Sequence, residues 1–398
     1  MTQQLVQLLS DLVALESVNP AYPGGSRGEA AVANYVEGYC RRLGLVVTRQ
    51  PVLPGRDNIR AELCVPGAQQ TLLFEAHMDT VDLGPMGARA LQPEVREGRL
   101  YGRGSCDTKG SLAAMLLALE ALQKEQERLR VNVMLLASVD EEHAFRGVTA
   151  FVDSKCPVHA AVVGEPTELR IVVAHKGCVR WRLTTTGRAA HSSRPEEGDN
   201  AIDQMAEVLQ SLRAFQAHLR GRRHPLVGSP TLSVGRIWGG TGVNVVPERC
   251  TIEIDRRLIP GEDAQGALAE VDAFLAECAA ANPVLKITRE EPFVVDWPLE
   301  TPDDAAVVSA GRAACANLNL PTRPIGVPYG TDASKLWALG GIPAIVLGPG
   351  SIAQAHTAEE YVSLADVAAA AELYRRIALH LAGAPSSAPR RGGAEEER

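Results

Sequence analysis

Five residues of this chain have the types and the sequence settings to do chemistry together: His77, Asp107, Glu142, Glu165 and His356. Two are imidazoles and three are carboxylates, more donors than one tetrahedral zinc needs. They suit two divalent ions sharing a bridging carboxylate. Ion pairs of that kind, roughly 3.5–4 Å apart, activate a shared water for attack on a carbonyl or phosphoryl centre. Imidazoles argue against magnesium and calcium, which prefer shells of oxygen alone. Zinc is the first expectation, and mixed nitrogen and oxygen ligands also admit cobalt or manganese.

Any one of these residues is a weak signal; a lone His-x-Asp such as His77 and Asp79 is more often structural. The weight lies in the elements that carry them. Thr71 to Ala76 is an apolar run that stops at His77. Val131 to Val139 stops at Asp140-Glu141-Glu142, and Ala160 to Gly164 stops at Glu165-Pro166-Thr167. Pro343 to Gly348 leads through a Gly/Pro turn to His356. Short apolar runs with polar ends read as buried strands. Open α/β sheets bind ligands beyond the carboxyl ends of such strands. Asp79 is close enough in sequence to hydrogen-bond the second nitrogen of His77 and fix its tautomer.

Asp107 arrives differently. It lies in LYGRGSCDTKG, where glycines at 102, 104 and 110 surround it before a long helix. One reading is a tight loop with a helix cap at Asp107 or Ser111. The other is a carboxylate whose Gly-rich turn lets backbone approach a metal. The glycine spacing matches no phosphate-binding motif. Glu141 and Glu142 are adjacent and cannot both point the same way in extended chain, so one can hold metal while the other serves as a base.

The chain has 398 residues, 45% hydrophobic and 22% charged, with net charge −8 and pI near 5.7. That balance disfavours a nucleic-acid partner. No apolar run is long enough for a membrane span. The N-terminus lacks a basic region and a continuous apolar core, and reads as an amphipathic helix with Leu5, Leu8, Leu9, Leu12 and Val13 on one face. Eight scattered cysteines show no CxxC pair and read as buried free thiols. A cytoplasmic address is expected. Ser26 and Glu29 have capping-box spacing ahead of a helix that ends at Gly44. Leu45 to Thr48 and Asn58 to Val65 read as strands, and Gly84 to Gly98 as a loop. Residues 384–398 read as a disordered tail.

A middle block has another texture. Strands at Cys178 to Gly187, Thr231 to Trp238, Cys250 to Leu258 and Val284 to Glu290 alternate with helices at Asn200 to Leu219 and Glu262 to Ala280. The order is β-α-β-β-α-β, a split βαβ unit. The expected organisation is therefore α/β, with residues 1–177 and 293–383 forming one domain and 178–292 a smaller inserted α+β domain. His143, His159, His218, His224 and His380 lack companions and read as surface or satisfied core groups. His175 is equally suited to a domain junction or a substrate contact. By itself His191 reads as a loop residue, and Arg257 as half of a surface ion pair.

The motifs HMDTVD, LYGRGSCDTKG, SVDEEH, GEPT, GRAAHSSRPEEGDNAI and GPGSIAQAH together resemble one family. It is the metal-dependent amidohydrolases that include acetylornithine deacetylase, succinyl-diaminopimelate desuccinylase, aminoacylase and glutamate carboxypeptidase. The resemblance spans about residues 5–382. It implies a zinc-exopeptidase-like α/β catalytic domain and a ferredoxin-like insert serving as lid and dimerisation domain. It implies two zinc ions, one on His77, Asp107 and Glu165, the other on Asp107, Glu142 and His356. Asp79 would orient His77, and Glu141 would be the general base. His191 would help stabilise a tetrahedral oxyanion, often from the partner subunit of a homodimer. Asn244 and Arg257 would contact a substrate carboxylate.

The implied reaction is hydrolysis of small N-acyl-L-amino acids. AHKG at 174–177 and LGPGSIAQAHTAEEY at 347–361 look most like acetylornithine deacetylases. Tyr329-Gly330-Thr331-Asp332 departs toward the broader deacylase and desuccinylase pattern. A desuccinylase would need a second carboxylate site, for which Lys176 and Arg194 are candidates. A cationic side chain would want an acid, for which Asp332 is one. A dipeptidase or carboxypeptidase of the same family, and a non-catalytic binding protein on the same fold, are the alternatives.

Overall fold

The computed structural model of the chain describes residues 2–23, 25 and 27–381. The tail at 384–398 and the capping residue Ser26 lie outside these. The chain divides into two compact units. One comprises the stretch up to Val173, Thr301–Ile325 and the stretch from Thr331; the other comprises Ala174–Glu300 with Gly326–Gly330.

The first unit is built on a twisted mixed sheet. Its strands run in the order Val46–Leu53, Arg56–Leu63, Asn132–Ser138, Thr71–His77, Ala160–Val163, Ala344–Val346. The last four are mutually parallel, and the first two join antiparallel. In Thr71–His77 every residue is buried. That is why the segment is mostly apolar rather than alternating: helices cover both faces of a parallel sheet. The exception, Glu75, is buried and accepts the Ser138 hydroxyl at 2.6 Å. Each large aliphatic side chain so buried contributes about 1.5–3 kcal/mol.

Helices Thr2–Ala14, Lys109–Lys124 and Leu364–His380 share one core with that sheet. Lys109–Lys124 is apolar almost all round because it is enclosed. Thr2–Ala14 buries Leu5, Leu8, Leu9, Leu12 and Val13, the expected amphipathic stripe. Tyr374 packs its ring 5.6 Å from that of Phe74. The shorter helices Arg146–Asp153 and Ala333–Ala338 meet strands of the same sheet.

Several boundaries shift from expectation. The first strand runs on to Leu53, where it pairs with the next across a bulge. The Gly84 to Gly98 loop contains a 3-10 segment, Gly84–Leu91, and a strand, Glu94–Arg96. Helix Ala30–Arg42 has Glu29 at its N-cap position with no side-chain cap bond; that carboxylate is committed to Arg56 instead.

The second unit holds an antiparallel sheet in the order Thr231–Gly239, Arg249–Leu258, Gly177–Thr186, Ile287–Arg289, with Val294–Asp296 also pairing to Gly177–Thr186. Helices Ala201–Leu219 and Ala264–Ala281 pack on one face and bury Trp181, Ile252, Ile254, Leu212 and Val271. Asn200 and Asp263 cap those helices through their side chains. Strand by strand this is the split βαβ arrangement.

Candidate metal centre

Parallel register brings the strand ends of the first unit together. His77 is the last residue of its strand and pairs with Ser138, the last of the neighbouring one. Two to four residues further on, that neighbour supplies Asp140, Glu141 and Glu142. Glu165 follows Ala160–Val163 by two residues. His77 is 2% exposed, Glu165 6% and Asp107 7%, whereas the His356 side chain is 50% exposed.

Asp107 stands at the middle. Its Oδ1 lies 3.0 Å from Nε2 of His77, and its Oδ2 lies 3.3 Å from Nε2 of His356. His356 Nε2 is also 3.1 Å from Glu142 Oε1, and His77 Nε2 is 3.8 Å from Glu165 Oε1. Ligand atoms of His77, Asp107 and Glu142 all fall within 4.8 Å of one another. The five residues singled out in the sequence therefore form one cluster.

Glycines let the loops meet. Gly104 has φ +78°, and a Cβ there would come 2.7 Å from the Thr80 side chain. Gly350 has φ +82°, and a Cβ would come 2.6 Å from Cys106 Sγ. Any larger residue at either place would push the Asp107 loop off its neighbours.

Asp79 is fully buried, and His77 Nδ1 lies 3.0 Å from its backbone carbonyl and 3.5 Å from its carboxylate. A proton on Nδ1 leaves the Nε2 lone pair facing Asp107. The Asp79 carboxylate accepts the amides of Glu141 at 3.2 Å and Glu142 at 3.1 Å, and Asn19 Nδ2 at 2.7 Å. Asp79 thus holds the acidic turn as well as the imidazole.

The turn itself is braced from below. Asp140 has φ +70° and takes hydrogen bonds from Arg146, Arg56 and Asn19. Arg56 also makes a paired contact with Glu29, at 2.6 Å on each oxygen. Tyr22 donates its hydroxyl to the Glu142 carbonyl at 3.0 Å. Burial and the nearby Glu142 and Glu141 charges push that phenol up to about 12.

The cluster's electrostatics fit divalent cations. Glu141 and Glu165 are held well above the usual carboxylate range, first by loss of solvent and then by neighbouring carboxylates. Glu142 is raised by burial and by Asp107. Hydrogen bonds to Asp107 and Glu142 push His356 up to about 10. His77 is raised too: burial opposes its charge, but Asp107 and Asp79 outweigh that cost. So many acidic groups in one low-dielectric place call for positive charge, and the raised imidazoles show how strongly the cluster draws it. Two imidazole nitrogens and three carboxylates are the donors such ions use.

Asp332, read as a possible acid for a cationic substrate, is buried in the first unit. Its Oδ2 lies 3.3 Å from the donating Ser138 hydroxyl, and the Glu75 carboxyl is its hydrogen-bonded neighbour. Burial raises it to about 6, against the pull of Lys335.

The remaining candidates lie in the second unit. His191 is exposed, with Nδ1 2.8 Å from Ser193 Oγ, and Asn244 is its neighbour through a bond from the Ser192 amide to the Asn244 carbonyl at 3.0 Å. Arg257 donates to Asp255 at 2.7 Å, the surface-type pair expected of it in isolation. Lys176 is buried and donates to the Ser229 carbonyl at 2.6 Å. Burial and the charges of Arg257 and Arg256 lower its pKa. Arg194 pairs with Glu197 at 3.3 Å.

Sequence reasoning misses Asn19, Tyr22, Arg56, Glu29, Arg103 and Glu360. Arg103 and Glu360 carry a faint signal, since one lies in LYGRGSCDTKG and the other four residues after His356. Asn19, Tyr22 and Arg56 lie in segments with no motif at all, and Glu29 shows only the spacing of a helix cap.

The sequence matches the model of peptidase family M20/M25/M40 over residues 73–380. It is 31% identical to an acetylornithine deacetylase of Pectobacterium atrosepticum, across 94% of this chain and 97% of that one. Among solved structures it is similar to the aminopeptidase PepT of Bacillus cereus, with TM-score 0.79, 21% identity, and 96% and 99% of the two chains covered. It is also similar to the YXEP protein of Bacillus subtilis, described as a dinuclear metal binding peptidase of the M20 family, with TM-score 0.72, 15% identity, and 95% and 97% covered. With the family matched over most of its length and a relative above 30% identity along nearly all of it, the chain belongs to peptidase family M20/M25/M40 and is a hydrolase of amide bonds.

Proposed function

We propose that this enzyme hydrolyses the amide bond of N-acyl-L-amino acids, with N-acetyl-L-ornithine as its leading substrate. The observation that carries the reaction class to these residues is the cluster around Asp107, with one oxygen toward each imidazole and Glu141 beside it. The choice of substrate is supported by the curated relatives, named acetylornithine deacetylases, which match along nearly their whole length.

In this reading His77, Asp107 and Glu165 hold one metal ion, and Asp107, Glu142 and His356 the other. Zinc is favoured by the mixed donors, with cobalt or manganese as substitutes. Bound there, such ions polarise an acyl carbonyl and acidify water. Glu141, half-buried and held above the usual carboxylate range, is the carboxylate left to move protons. It takes a proton from the attacking water as the oxygen bonds to the acyl carbon. It then delivers that proton to the amine nitrogen as the C–N bond breaks, giving a free amino acid and a carboxylate. His191 donates to the oxyanion that forms in between. Asn244 and Arg257 grip the substrate's carboxylate.

The enzyme acts as a homodimer through its inserted domain. Supporting this, the edge strand Thr231–Gly239 leaves Ile237 55% and Trp238 45% exposed. A cytoplasmic setting is supported by eight cysteines that are all free. No helix among the described residues is long and apolar enough to cross a membrane.

A second reading, a desuccinylase, is favoured by one observation. Lys176 bonds a backbone carbonyl rather than a carboxylate and lies beside Arg256 and Arg257, a cationic group that suits a second acid on the substrate. A panel of N-acetyl-L-ornithine, N-succinyl-diaminopimelate and dipeptides, read by release of free amine, separates the two. The N-acetyl substrate should be turned over fastest. Cleavage of succinylated substrates alone would reject it.

A further inference from the structure

We propose that Glu360 is a positioning residue that makes one body of the Asp107 loop, the His356 loop and the loop that follows His77, and so sets how tightly the centre holds its metals. This role rests on reading that cluster as a two-metal centre. Glu360 is 0% exposed, yet both oxygens of its carboxylate are used. Oε1 accepts the amides of Cys106 at 3.0 Å and Asp107 at 3.1 Å. Oε2 accepts Nη1 of Arg103 at 2.7 Å.

Arg103 extends the reach. Its Nε donates to the Asp82 carbonyl at 2.8 Å, in the loop that follows His77, and its Nη1 reaches the Thr357 carbonyl at 3.4 Å, next to His356. The Gly102 amide donates to the Glu360 carbonyl at 3.1 Å, and Cys106 Sγ donates to the Ser351 carbonyl at 3.4 Å. None of these groups is a metal-ligand atom. Together they set where the Asp107 backbone sits, and so where its two oxygens fall between the imidazoles.

The amides of Cys106 and Asp107 are buried donors, and a buried donor without an acceptor costs the full desolvation of that group. Glu360 satisfies both with one oxygen and uses the other to fix a buried guanidinium. A glutamine of the same size cannot do this. It has one accepting oxygen, so its NH₂ must face either the two amides or Arg103. The Asp107 loop would then shift to relieve the clash, and the shared ligand would lose one imidazole-facing position.

The test uses the full-length enzyme with zinc. Metal per chain is measured by mass spectrometry, and release to a chromogenic chelator is timed for wild type, Glu360→Gln, Arg103→Lys and Glu359→Gln. Glu359 is exposed and serves as a neighbouring control. Lost support around a metal ligand typically costs about 10–100-fold in affinity. Glu360→Gln should release metal faster by about that factor, with kcat lowered and KM within about threefold. Arg103→Lys should fall between it and wild type, and Glu359→Gln should match wild type. A wild type that binds no metal rejects the reading of the centre. A wild type that binds both ions, with Glu360→Gln releasing them at the wild-type rate, rejects the role of Glu360. Should Glu360→Gln fail to fold, wild-type release from Arg103→Lys rejects it equally.

Discussion

His77 and His356 face opposite oxygens of one carboxylate, and they are held by different means. His77 ends a fully buried strand, is 2% exposed, and has its far nitrogen fixed by the Asp79 carbonyl. His356 sits at φ +60° in a loop, with half its side chain exposed. Among the described residues only its Nε2 makes a hydrogen bond. One ligand is pre-set by sheet register. The other depends on a loop whose support comes from Arg103 and Glu360. A site built from one rigid and one tethered half should lose its metals in order, and its halves should answer differently to substitution.

The largest expected effect separates chemistry from holding. Glu141→Gln should keep both metals and lower kcat by about 10²–10⁴-fold, as loss of a general base does. Metal analysis beside steady-state kinetics reads both at once, and unchanged turnover would remove Glu141 from its role. Next, His77→Ala and His356→Ala should differ. With its strand-fixed ligand gone, His77→Ala should bind markedly less metal. His356→Ala should keep an ion on the His77 side. Equal loss in both variants would break the comparison. Third, titration of the zinc enzyme with a chelator should show two phases, the ion on the His356 side leaving first. The same titration of His356→Ala should show the slow phase alone, and a single phase in wild type would contradict the order.

A smaller effect tests the bracing of the acidic turn. Asn19→Ala leaves Asp79 and Asp140 each short of a buried donor, at a cost of about 1–3 kcal/mol. Thermal or denaturant unfolding of the metal-free protein should report it; stability equal to wild type would mean Asn19 braces nothing. The smallest belongs to Tyr22→Phe, which removes one hydroxyl bond to the Glu142 carbonyl. It should cost about 1 kcal/mol or less and leave metal content intact.

Much of the site is legible in the amino-acid order, and the reason is geometric. A buried parallel strand is mostly apolar, and ligand-binding polar residues gather at its carboxyl end. Glu75, inside the His77 strand, is the exception, satisfied by the Ser138 hydroxyl. The general rule is why runs of Leu, Val and Ala point to His77, Glu142 and Glu165. The alternation in Arg249–Leu258 marks the second sheet for the same kind of reason, its inward face being Cys250, Ile252, Ile254, Arg256 and Leu258. Boundaries blur where polar residues carry on a strand, as in Val46–Leu53, whose outer face is exposed. Glu29 shows another limit. Its spacing suggests a helix cap, but a buried guanidinium 27 residues away competes for the same carboxylate and prevails.

What the amino-acid order determined alone was local: which runs would be buried strands, which loops needed glycine, and which acids and imidazoles would stand at strand ends. Folding decided the rest. Only the assembled sheet turns the Asp79 carboxylate to the amides of Glu141 and Glu142, brings Asn19 beneath them, and joins Arg103 and the Asp107 loop to Glu360 across more than 250 positions. Those bonds link segments that carry no shared pattern. A hydrogen bond depends on where two groups arrive in space, and neither segment encodes the other's position.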